Sequence, residues 1–376
     1  MDSIDRPTAS RGQPAHVQSL LVFPVGVDGA KTYIQTARQL GFRVIGGSSV
    51  PVGLVDLPVD ALIHLPFVTH GDFEAAFTQA LARHQISHVH APHHGVWWCL
   101  RQMLERQATP SFSLCGEHPF QANWNAFQPD LAWADTILGD ALAETIEPCR
   151  AAPPMGRLQY ASLHRGFLRV PGESDEDKLS ALAAIARLLP QGDVVEIGSL
   201  YGRSAYALAR LAQHYGIGSI ICVDPWRMDR ILDQGPAAKD LYDSRRLIDL
   251  DHVFANFCAT AAEVPGMGYI RQPSLDAIGE YREAVRQQVL HCPELTPVPV
   301  CGRIALLHID GNHRYDQVVQ DIQTWAPYLM PGGWLLLDDY VWSFGDGPQM
   351  AGDELLQSGA YDSAFVASDT LFLRRL

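Results

Sequence analysis

The chain has 376 residues, 47% of them hydrophobic, and carries 28 Lys and Arg against 42 Asp and Glu, a net charge of −14. That length exceeds one ordinary core and predicts two domains. The acidic balance disfavours a phosphate backbone as partner, and no apolar run is long enough to span a bilayer, so nucleic-acid and membrane-spanning roles are set aside.

The opening residues are polar and lack an apolar signal region, which predicts a short disordered tail. Strands follow at Ser19–Phe23, Phe42–Ile45, Ala61–His64 and His88–His90, with helices at Ala30–Leu40 and Asp72–Arg83 between them. This alternation predicts a parallel, Rossmann-like α/β domain over residues 1–120. Gly26-Val27-Asp28-Gly29 is a turn without the G-x-G-x-x-G spacing of a dinucleotide site. The histidines at 84, 88, 90, 93 and 94 are dense, but no H-E-x-x-H frames them, so surface and strand-end roles are favoured over a metal site. Trp97 and Trp98 suit a domain interface better than an acceptor pocket. Residues 121–173, with Pro153 and Pro154, read as a connector.

Lysine occurs only as Lys31, Lys178 and Lys239, so no basic run exists. The cysteines at 99, 115, 149, 222, 258, 292 and 301 form no C-x-x-C pair, which predicts reduced thiols and a cytoplasmic protein.

From Ser174 the pattern sharpens. Ser174 is a candidate N-cap, and Asp175–Leu189 is amphipathic, with Leu179, Leu182, Ile185, Leu188 and Leu189 on one face. Strands are predicted at Asp193–Gly198, Ser219–Asp224, Gly268–Gln272, Ile304–Ile309 and Trp334–Leu337. A hairpin, Ala364–Ala367 with Thr370–Leu373, closes the chain. Arg203–His214 is a helix. The polar stretch Arg227–Asp251, containing Gly235-Pro236, predicts a lid.

Three segments carry chemistry. Val195-Glu196-Ile197-Gly198-Ser199-Leu200-Tyr201-Gly202-Arg203-Ser204 is a strand running into a glycine corner that opens a helix. Gly198 and Gly202 relieve Cβ crowding where backbone must bend tightly. Val223-Asp224-Pro225-Trp226 ends the next strand in a carboxylate able to accept from both ribose hydroxyls. His308-Ile309-Asp310-Gly311-Asn312-His313-Arg314-Tyr315 is followed by a helix, Pro331-Gly332-Gly333, and an apolar strand ending Asp338-Asp339-Tyr340.

The first segment resembles the E/D-x-G-x-x-x-G motif of class I S-adenosylmethionine-dependent methyltransferases. The third resembles, within that class, the metal-dependent sugar O-methyltransferases of macrolide biosynthesis and the cephalosporin hydroxylase group. The resemblance covers about residues 174–376. It implies a seven-stranded Rossmann-like α/β sheet beside the separate N-terminal α/β domain. It further implies that Glu196, Gly198, Gly202, Ser204, Asp224, Trp226 and Ser274 meet S-adenosylmethionine. Trp226 is equally suited to packing, and Ser274 to capping a helix. Asp310, Asp338 and Asp339 would bind Mg²⁺ or another divalent cation, whose oxygen preference they match. Neighbouring strand residues face opposite ways, so Asp338 and Asp339 can share an ion only if the strand breaks there.

His313 would be the base and Asp310 would share the catalytic site, while His308, deeper in the sheet, is better suited to packing. The expected reaction is O-methylation of a small-molecule hydroxyl such as a sugar's, with homo-oligomerisation left open. A hydroxylase-like or non-methylating cofactor-binding role on the same fold is the alternative.

Overall fold

The computed structural model describes residues 18–51, 57–146, 151–234, 249–341 and 345–376. The expected N-terminal tail and residues 235–248 of the expected lid lie outside these. The chain divides into two compact units, residues 1–128 and 129–376.

In the first unit five strands form one parallel sheet. They are β1 (Ser19–Val22), β2 (Arg43–Ser48), β3 (Ala61–His64), β4 (Ile86–His90) and β5 (Ser113–Cys115), in the order β3-β2-β1-β4-β5. Alternate residues of β1 enter different cores. Leu20 and Val22 pack with Ile34 of α1 (Ala30–Gln39), and Leu21 packs with Phe73 and Phe77 of α2 (Phe73–His84) and Leu100 of α3 (His94–Glu105). A strand covered on both faces needs continuous apolar sequence, which is why Leu-Leu-Val carries no alternation.

The helix α3 and strand β5 were not foreseen. The His93 side chain caps α3 by accepting from Gly95 N at 3.2 Å. Trp97 of α3 packs against the apolar core of this unit. The crowded histidines are dispersed: His84 ends α2, His88 and His90 lie in β4, and His93 and His94 open α3. None belongs to a metal-sized group among the described residues.

The helix α4 (Pro119–Gly139) runs across the division between the units. The second unit continues with α5 (Leu142–Thr145), α6 (Arg157–Arg169) and α7 (Glu176–Ile185). The stretch expected to be a connector is thus largely helical, and from Pro129 onward it belongs to the second unit. Asp175, rather than Ser174, caps α7, accepting from Lys178 N at 2.9 Å.

The sheet of this unit has seven strands: β6 (Asp193–Ile197), β7 (Ile220–Val223), β8 (Met267–Ile270), β11 (Ile304–Ile309), β12 (Leu329–Leu337), β13 (Tyr361–Ala367) and β14 (Thr370–Arg375). A separate two-stranded pair joins β9 (Val289–Leu290) to β10 (Val298–Pro299). The order is β13-β14-β12-β11-β6-β7-β8, with β14 antiparallel to both of its neighbours. The terminal hairpin therefore inserts its second strand next to β12. Helices α8 (Arg203–Tyr215), α9 (Met228–Ile231), α10 (Leu250–Ala262), α11 (Ser274–Gln287), α12 (Tyr315–Trp325) and α13 (Gly347–Gln357) complete the unit. No helix among the described residues is long and apolar enough to cross a membrane.

One buried carboxylate pins the amino edge of this sheet. Asp193 opens β6 and accepts from Tyr281 Oη of α11 at 2.9 Å, from Cys301 N at 3.0 Å and from Gly302 N at 2.8 Å. It joins the central strand to α11 and to the turn that leads into β11. Asp193→Ala would leave three donors without their acceptor and should lower the unfolding free energy by about 2–4 kcal/mol. Tyr281→Phe should cost only about 1 kcal/mol, because it removes one donor and leaves none stranded. Urea titration of the two variants checks the ranking.

Candidate active site

The parallel strands deliver their carboxyl ends to one edge, which in an open α/β sheet is where ligands sit. Backbone bonds tie the loops there into a row. Gly198 N donates to Val223 O at 2.8 Å, Asp310 N to Ile197 O at 2.8 Å, and Asp338 N to Ile309 O at 2.9 Å.

Gly198 and Gly202 both have positive φ, at 87° and 86°. A Cβ on Gly198 would stand 1.9 Å from the Asp310 carbonyl oxygen, and one on Gly202 would meet Phe257 at 3.0 Å. The glycine corner is therefore dictated by the neighbouring loop as well as by its own bend. Asp224 clasps it, accepting from Leu200 N at 3.0 Å and from Trp226 N at 2.6 Å. Burial pushes the Asp224 carboxyl up, and these N–H donors work against that shift. Ser204 is buried in the first turn of α8.

The structure places the other residues expected at the cofactor as follows. Trp226 is 2% exposed, donates from Nε1 to Leu200 O at 2.8 Å, and sits among Phe254, Phe257 and Tyr269. Of its two open roles this placement supports packing, since no ring face is left for a cofactor. Glu196 lies one residue before the end of β6. It is fully buried within β6, and its Oε1 lies 3.0 Å from His308 Nδ1 on the adjacent strand β11. Ser274 does not cap α11, whose N-cap is Pro273. Its hydroxyl accepts from Trp325 Nε1 at 2.8 Å and also bonds Asp321, so it ties α11 to α12.

The three aspartates do not assemble as one set. Strand β12 ends at Leu337, and Asp339 has φ 53°, so the chain does break as two convergent carboxylates would require. The break sends them apart instead. Asp339 Oδ2 lies 2.7 Å from His313 Nε2. Asp338, 7% exposed, accepts from Lys178 Nζ at 2.5 Å and from the Thr370 hydroxyl. Asp310 stands between these groups and bonds Asp338. Two clusters have ligand atoms within 4.8 Å of one another: His308, Asp310 and Asp338, and Asp310, His313 and Asp339. Each holds two of the expected groups at most.

The charges follow from this arrangement. Burial, and then the Asp338 charge, hold the Asp310 carboxyl well above the usual range. Burial also opposes ionisation of Asp338, but Lys178 and His308 outweigh it and hold that carboxyl far below its usual range. Lys178 is raised despite burial, because Asp338 and Asp310 favour its charged form. The two neighbouring acids are thus pushed in opposite directions, Asp310 up and Asp338 down.

Lys178 and Thr370 were missed as site residues. Thr370 gave no signal. Lys178 gave a faint one, as a rare lysine on a helix whose described neighbours Leu179, Ala181, Leu182, Ala183 and Ala184 are all buried. A cation there must find an anionic partner. Gly347 supports the opposite end of the site: a Cβ on it would stand 2.2 Å from the His313 carbonyl oxygen.

Residues 195–340 match the family model of a methyltransferase domain. No curated protein matches the chain in sequence. Among solved structures, the O-methyltransferase NovP is 16% identical, covering 65% of this chain and 99% of its own, with a TM-score of 0.39. The calicheamicin methyltransferase CalS11 is also 16% identical, covering 60% of this chain and 95% of its own, with a TM-score of 0.38. MycE, a methyltransferase of the mycinamycin biosynthetic pathway solved with Mg and SAH, is 18% identical, covering 49% of this chain and 45% of its own, with a TM-score of 0.30. Residues 195–340, which hold the glycine corner and the loops of this edge, are thus similar to a methyltransferase domain.

Gly198→Ala tests how tightly the two loops are joined. The new methyl must displace the Asp310 carbonyl while the backbone stays at positive φ, so unfolding free energy should fall by about 2–4 kcal/mol. Denaturant melts would show it. A variant as stable as the parent would mean that the loops separate easily.

Proposed function

We propose that this chain moves the methyl group of S-adenosylmethionine to a hydroxyl oxygen of a small molecule. The observation that carries the reading is the His313–Asp339 pair, 2.7 Å apart and on the same sheet edge as the Gly198–Gly202 corner. An attacking hydroxyl must lose its proton, and a paired imidazole and carboxylate can take one near neutral pH. The net charge of −14 favours a small acceptor over a nucleic acid.

The described residues fit the methyl donor. Asp224 uses three acceptor positions, on the backbone N–H groups of Leu200, Trp226 and Ser199. A carboxylate has about four, which leaves capacity for one ribose hydroxyl. The first turn of α8, with Ser204, presents unpaired N–H groups to a carboxylate such as that of the methionyl moiety. When bound, S-adenosylmethionine supplies an activated methyl carbon. The chain's share of the work is to hold the acceptor oxygen in line and to receive its proton at the His313–Asp339 pair.

The divalent cation implied by the resemblance does not fit as three carboxylates, because Asp338 and Asp339 fall in different ligand-sized groups and Asp338 is paired with the Lys178 ammonium. No step is assigned to it.

Two substitutions separate binding from chemistry. Asp224→Ala should weaken S-adenosylhomocysteine binding by roughly 10–100-fold, the scale of a hydrogen bond to a charged group. Calorimetry on a variant with a normal melting temperature measures it, and unchanged affinity removes the ribose assignment. His313→Ala should bind the same ligand normally but lower kcat by about 10²–10⁴-fold, with partial recovery at higher pH. Transfer of labelled methyl to a panel of hydroxylated small molecules provides the assay. Turnover at the parental rate in His313→Ala would discard the proton-acceptor role.

A further inference from the structure

We propose that Lys178 is the built-in cation of this site: its ammonium stands beside Asp338 and Asp310 where the resemblance calls for a divalent ion, so the chain works without a metal. The inference rests on the methyltransferase reading above.

Three observations support it. Lys178 Nζ is 2.5 Å from Asp338 Oδ2 and 4.0 Å from Asp369 Oδ1, and its side chain is 3% exposed. The ammonium thus lies among carboxylates rather than in solvent. Second, the other Asp338 oxygen accepts from Thr370, and Asp338 and Asp339 fall in different ligand-sized groups rather than one. Third, neither remaining cluster replaces the missing set. In one, His308 is fully buried and held by Glu196, with its Nε2 3.9 Å from Asp338 Oδ2. In the other, His313 and Asp339 are already bonded to each other.

A divalent ion placed between Asp310 and Asp338 would lie close to a buried ammonium, and like charges repel strongly where water is excluded. Lys178 is itself buried on α7, next to the core residues Leu179 and Leu182. It acts through Asp338 and is a positioning residue: it fixes Asp338, and through that carboxylate Asp310, behind the His313–Asp339 pair.

The test is direct metal binding by the full chain, which needs no methyl acceptor. EDTA-treated protein is titrated with MgCl₂ and MnCl₂ by calorimetry, and its affinity for S-adenosylhomocysteine is measured with and without EDTA. The parent should bind neither metal with a Kd below roughly 1 mM, and EDTA should not change ligand affinity. Lys178→Met removes the charge, keeps most of the volume and frees Asp338. That variant should gain Mn²⁺ binding by about 10-fold or more, while Lys178→Arg should not.

Metal binding by the parent below that threshold would overturn the proposal, as would a folded Lys178→Met that still binds no metal. If Lys178→Met does not fold, the parent titration alone decides. A parent that fails to bind S-adenosylhomocysteine under any condition would instead refute the functional reading, independently of the metal titration.

Discussion

The site depends on how one buried negative charge is balanced. Asp338 directly follows the apolar strand β12 and is 7% exposed. Taking a carboxylate out of water costs several kcal/mol unless a partner and hydrogen bonds offset it. Lys178 does so from α7 and Thr370 from β14, the strand laddered to β12. Adjacent aspartates thereby acquire different work. Asp338 is anchored beneath the edge, and Asp339, in the left-handed conformation that aspartate tolerates, turns to His313. Losing either Lys178 or Thr370 would disturb a carboxylate that borders both Asp310 and the chain break.

The glycines on this edge serve the same end. A glycine after a strand is commonly taken as room for a ligand. Here the missing Cβ atoms of Gly198 and Gly347 face the carbonyl oxygens of Asp310 and His313. Each glycine lets one loop approach the backbone of a residue with candidate chemistry. The Asp310 N–H to Ile197 carbonyl bond reinforces the first approach. The corner that would receive the methyl donor and the loop that would receive the acceptor are therefore in backbone contact.

Much of the fold was legible because its strands are short apolar runs bounded by turn residues, and because helices with apolar faces separate them. The two sheets, the terminal hairpin and the carboxyl edge bearing Asp224, Asp310 and Asp339 all follow from that pattern. What was not legible depends on contacts between residues far apart in sequence. Lys178 and Asp338 lie 160 positions apart, and periodicity reports nothing at that distance. Glu196 looked like a strand-end carboxylate, but its partner on the adjacent strand, His308, keeps it inside. Trp226 could face a ligand or a core, and only the positions of Phe254, Phe257 and Tyr269 decide between them. The helix α3 was hidden because its cap is a histidine, a weaker signal than the Ser, Thr, Asp or Asn that usually marks a helix start.

The two edges of the second sheet show one rule applied to opposite ends. At the amino edge Asp193 is buried and satisfied entirely by neutral donors, a phenol and two backbone N–H groups. It holds its loop and helix without needing a cation. At the carboxyl edge Asp338 is satisfied by an ammonium and a hydroxyl, with a second acid alongside. A neutral donor set serves where a single carboxylate must be anchored. A positive charge stands where two acids crowd together, and it favours the ionised form of both. In this chain that charge comes from a helix preceding the sheet, so folding itself completes the electrostatics of the edge on which the candidate chemistry sits.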